Sequence, residues 1–89
     1  MATKHRTESA LSYKIGDIVF FSTSNSTVAG EGIFIGRLKS SPEDFVLVIG
    51  KQIVEMAAEY CTSTRRGIPA EGESWRRAHL KEHPGVLVA

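Results

Sequence analysis

The sequence predicts a mainly β, α+β fold: a small antiparallel, barrel-like sheet followed by a short C-terminal helix. Three runs rich in Ile, Val and Phe carry that expectation: Lys14–Ser22, Gly32–Lys39 and Phe45–Ile49. These residue types suit a pleated, buried surface. The connections between the runs are short, which favours antiparallel pairing. After them comes a polar stretch that ends at Pro84-Gly85, a pair that stops a helix.

Taken in order, residues 1–12 are polar, mixed in charge and without a period, and are expected to form a flexible lead-in. Residues 13–89 are then expected to form a single small β-rich domain. Its first strand, KIGDIVFFS, enters through Gly16-Asp17. The segment STSNSTVAGE that follows is small and polar, as an exposed loop would be. The second strand, GIFIGRLK, contains Gly36, which permits a bend. SSPED then has tight-turn chemistry, with Pro42 fixing φ and Asp44 able to bond to the backbone. The third strand is FVLVI.

Residues 51–61, KQIVEMAAEYC, read two ways. As a helix they place Ile53, Val54, Ala57, Tyr60 and Cys61 on one stripe. As a strand, QIVEM follows a two-residue Gly50-Lys51 turn of type II′. A strand running into a helical turn satisfies both. Residues 62–74 contain Gly67, Pro69 and Gly72 and are expected to be a loop. The helix is expected over Trp75 to His83, with Ser74 as N-cap. The closing VLVA is either a short strand or a terminal apolar patch.

The strands lack polar alternation. Ile18 and Phe20 oppose Val19 and Phe21; Ile33 and Ile35 oppose Phe34; Phe45, Leu47 and Ile49 oppose Val46 and Val48. A sheet with one wet face alternates apolar and polar residues. Both faces here therefore need cover. One packs inside a small barrel, and the other needs the C-terminal helix or a second subunit, so a homo-oligomer is expected.

Composition narrows the function classes. The 89 residues carry 11 Lys+Arg against 10 Asp+Glu, a net charge of +1, and 42% are hydrophobic. This is ordinary for a globular domain and well short of the basic signature of a nucleic-acid binder. A single cysteine excludes a disulfide framework and a cysteine-built zinc site. The longest apolar run, Phe45–Ile49, is far below the roughly 20 residues of a membrane helix. With no apolar leader in MATKHRTESALS, a cytoplasmic location is expected.

The pattern GDIV, polar loop, GIFIG, turn, FVLV resembles a Src-homology-3-like small barrel of the GD-x-V kind, over Ile15 to about Tyr60. Within that class, Lys51-Gln52-Ile53-Val54 followed by Ala57-Ala58 is similar to the Val-Gln-Ile-Tyr run and two alanines of plasmid-type (type II) dihydrofolate reductases. Gln52 and Ile53 match, whereas Lys51 and Val54 replace the valine and tyrosine. That family is a homotetramer whose shared pore binds a nicotinamide cofactor and dihydrofolate. The resemblance implies Gln52 and Ile53 as ligand-binding positions. GDIVFF and GIFIG are also similar to the strand pair of NlpC-type papain-like peptidases. No cysteine precedes the strands, however, and Glu31 stands in the place of the family's histidine, so no nucleophile and base are paired.

Other side chains offer less. Cys61 reads as a small buried hydrophobe. His79 and His83 have a spacing that can hold a metal, but without a clear third ligand they read as solvated histidines. Five Lys+Arg lie between Cys61 and His83, and Arg65, Arg66, Arg76 and Arg77 with Trp75 have the residue types of phosphate contact and base stacking. The sequence therefore points to a small, non-enzymatic, oligomeric module that binds a protein or small molecule. It implies no catalytic residue, metal or cofactor. A nucleic-acid binder using Arg65, Arg66, Trp75, Arg76 and Arg77 is the alternative, followed by a reductase-like enzyme with an inter-subunit pore.

Overall fold

The computed structural model describes residues 13–22 and 29–88. Its six strands form one antiparallel sheet: β1 (Ile18–Ser22), β2 (Ala29–Leu38), β3 (Asp44–Ile49), β4 (Gln52–Ala57), β5 (Cys61–Arg65) and β6 (Leu87–Val88). A one-turn 3-10 helix, Ala58–Tyr60, joins β4 to β5, and α1 (Pro69–Glu82) precedes β6. The sheet order is β4-β3-β2-β1-β5, so β5 returns to the first strand and curls the meander into a barrel-like form. β6 pairs with Arg37 and Leu38 and continues along the β2 edge beyond the end of β1.

The absence of alternation has a simple structural outcome: each face builds its own core. Inside the curl, Val19, Phe21, Phe34, Phe45, Leu47 and Cys61 are buried, with Tyr13, Ile15, Ile49 and Met56 packed against them. Tyr13, Phe34 and Phe45 form an aromatic trio with ring centroids 5.0–5.8 Å apart, at offsets favourable for aromatic rings. On the other face, Ile35, Val46, Val48 and Leu87 are buried beneath Trp75 and Leu80 of α1. The helix and β6 of the same chain therefore cover the second face. The apolar strand faces alone do not require another subunit.

A β-bulge shapes this outer layer. Phe34 pairs with Leu47 and Gly36 with Val46, which leaves Ile35 as the extra residue of β2. Gly36 has φ +141°, and a Cβ there would lie 2.9 Å from the Arg76 guanidinium. Arg76 Nη1 donates to the Ile35 carbonyl at 3.1 Å, so the helix satisfies the backbone group that the bulge removes from the ladder. Near the N-terminal end of α1, Gly72 lies directly against the backbone of Gly16, and a Cβ on either residue would meet main-chain atoms. Two facing glycines let the helix sit this close to the turn that leads into β1.

Several boundaries differ from expectation. β1 starts at Ile18 because Lys14–Asp17 forms a turn: the Asp17 amide donates to the Lys14 carbonyl and the Lys14 amide to Asp17 Oδ2. β2 starts at Ala29, inside the expected loop, whose residues 23–28 lie outside the described residues, as does the lead-in 1–12. The expected loop 62–74 is a strand as far as Arg65 and a helix from Pro69. Thr64 Oγ1 donates to the Ile18 carbonyl at 3.0 Å and helps hold this polar strand on the sheet. Ile68 is the N-cap and Pro69 occupies the first turn, where its missing amide costs nothing; Ser74 lies within the helix. Residues 51–61 resolve into strand followed by 3-10 turn, across a Gly50-Lys51 hairpin with Gly50 at φ +66°.

Candidate functional site

α1 lies on the sheet through Gly72, Trp75, Arg76, His79 and Leu80, all buried or half-buried, and His83 continues that stripe at the C-cap. Their spacing is helical, yet the stripe mixes glycine, arginine and histidine with only two large apolar residues. Anchored by Gly72 at one end and Arg76 in the middle, the helix carries His79 and His83 to the far end of β2.

There they line a groove of about 810 Å³ with Leu38, Lys39, Ser40, Glu55, Gly85 and Val86. Leu38 and Val86 belong to the outer layer and form its apolar part. Lys39 and Ser40 follow β2, and the Lys39 amide donates to the Val86 carbonyl at 2.8 Å, tying the two sides together. Glu55 faces the groove from β4. A carboxylate, an ammonium and two imidazoles thus border an apolar floor, and the groove's size is that of a small-ligand site.

The residues singled out from the sequence land elsewhere. Gln52 is exposed at the first position of β4, opposite Ile49. Ile53, half-buried opposite Val48, packs into the outer layer. The arginines and the tryptophan divide among separate tasks. Arg65 pairs with Glu31 at 3.2 Å, both side chains at least half exposed, and its guanidinium lies 5.6 Å from the centre of the Phe20 ring. Arg76 is committed to the Ile35 carbonyl, and Trp75 packs in the outer layer. Of these five, Arg65, Arg66 and Arg77 are exposed, and Trp75 and Arg76 are half-buried. Cys61 is buried in the inner core, in the environment of a small hydrophobe.

Sequence reasoning reached His79 and His83 through their spacing, but not their partners in the groove. Leu38, Lys39, Glu55 and Val86 come from three other segments, and no local pattern joins them. Among the described residues, no group of three or more His, Cys, Asp or Glu is placed to hold a metal, and no helix is long and apolar enough to cross a membrane. No protein-family model, curated protein or solved structure matches this chain.

Proposed function

We propose that this chain is a small-barrel binding module of the Src-homology-3-like kind, non-enzymatic, whose ligand seat is the groove at the C-terminal end of α1. The return of β5 to β1 after a meander of four strands supports the barrel reading. One observation carries the site: the groove brings Glu55, Lys39, His79 and His83 to the rim of an apolar floor, whereas Ile53, Trp75 and Arg76 are engaged in packing or hydrogen bonding. A few polar groups around apolar walls are what orient a small molecule or a short peptide segment.

The test is a fragment and peptide screen read by amide chemical shifts of the full chain. Perturbations should gather at Leu38–Ser40, Glu55 and Val86. Hits that gather around Gln52 and Ile53, or around Arg66 and Arg77, would reject the groove in favour of a pore-type or nucleic-acid site. Self-association belongs to the same proposal on a narrower basis than the apolar faces. β4 and β5 end the sheet, and an edge strand's outer backbone groups can pair with another chain. Light scattering at micromolar concentration should give a mass above 9.7 kDa, and a monomer would reject self-association.

A further inference from the structure

We propose that His79 and His83 form a two-imidazole site for a divalent transition-metal ion such as zinc, nickel or copper. The proposal deepens the groove reading, since both rings line that groove. Four residues apart on one helix, they share a face. Their ring centroids are 4.9 Å apart with planes inclined at 42°. Two imidazoles sharing one tetrahedral ion, with metal–nitrogen bonds of about 2.0–2.1 Å, hold their centroids about 5 Å apart. The observed centroid spacing equals that value.

The fold holds this pair in place. His79 is half-buried on the sheet-facing stripe, three residues after the anchoring Arg76. The His83 amide donates to the His79 carbonyl at 2.9 Å, which keeps both residues on the last turn. Among the described residues, the two rings contact each other and neither imidazole makes a side-chain hydrogen bond.

The charges around the pair are mixed. Glu55 from β4 and the negative end of the helix dipole favour a cation, and Lys39 opposes it. The protein supplies two nitrogen donors, with the remaining positions open to water or to an incoming donor group. Imidazole suits zinc, copper and nickel, whereas magnesium and calcium prefer oxygen donors.

The chain contains its own reporter. Trp75 is the one tryptophan and lies one turn before His79 on the same stripe. Titration of the full chain with copper should quench its emission, and zinc or nickel should raise the melting temperature, because binding to the native state stabilises it. Magnesium and calcium should do neither. A second donor on the same helix makes the second contact intramolecular, an advantage of about 10²–10⁴ in affinity. His79→Gln and His83→Gln should each remove most of it, and copper EPR should show two equatorial nitrogens fall to one. His83 is exposed, so His83→Gln tests the site without threatening the fold.

The proposal is overturned if wild-type protein gives no response to millimolar zinc, or if binding survives both substitutions and is lost in His5→Gln. Fragment shifts at Leu38 and Val86 without a metal response would reject the metal site and leave the groove reading standing. A metal response without fragment shifts would do the reverse.

Discussion

The two cores of this small domain differ in how they are made. The inner core is built almost wholly by strand residues that point inward, and it includes the largest fully buried side chains, Phe34 and Phe45. In the outer layer, Ile35, Val46 and Val48 are covered by a helix whose contact stripe contains a glycine, an arginine and a histidine. Apolar area holds the first together. The second adds to the apolar contacts of Trp75 and Leu80 a close backbone approach and one guanidinium bonded to one carbonyl. Docking by such specific contacts leaves the helix's last turn free to carry polar side chains, and it is there that the groove lies.

The sharpest way to separate the two layers is to empty the inner one. Phe34→Ala should cost about 3–5 kcal/mol, as for other buried phenylalanines, and urea unfolding followed by circular dichroism should show most of the stability lost. A loss below 1 kcal/mol would mean that the inner core does not carry the fold. Gly72→Ala comes next. Its added methyl meets the Gly16 backbone, and overpacking of this kind costs about 1–3 kcal/mol. Trp75 fluorescence should report it as loosened helix docking, and a wild-type spectrum and midpoint would show that the helix sits less tightly than the geometry implies.

Arg76→Ala strands the buried Ile35 carbonyl, for an expected loss of about 1–3 kcal/mol. Arg76→Lys should rescue only part of this if bonding from the guanidinium matters. The smallest effect is expected on the outer rim. Arg65→Ala breaks an exposed ion pair and should change stability by about 0–1 kcal/mol. A larger loss would mean that the stacking of Arg65 on Phe20 contributes substantially to the β1–β5 pairing.

The inner core was legible because strand side chains alternate rigidly. Alternation within each strand separates Val19 from Ile18, Phe34 from Ile33 and Leu47 from Val48, and strand pairing then joins Val19, Phe34 and Leu47 in one core and Ile33 and Val48 in the other. The helix was less legible. Gly67, Pro69 and Gly72 read as loop punctuation, yet Pro69 opens the helix and Gly72 is its point of closest contact. Arg76 read as a candidate nucleic-acid contact because a sequence does not show that a bulge 41 residues away will leave a carbonyl in need of a donor.

From the sequence alone came the β-rich class, the turn at Pro42, the bend at Gly36, the buried cysteine and the need to cover two apolar faces. All of these are set by local stereochemistry and by which side chains water excludes. Tertiary structure alone decided that the chain's own helix supplies that cover, and that Glu55, Lys39, His79 and His83 border one groove. Those residues come from separate segments, and their meeting depends on sheet curl, bulge and helix docking together, none of which leaves a local periodic signal.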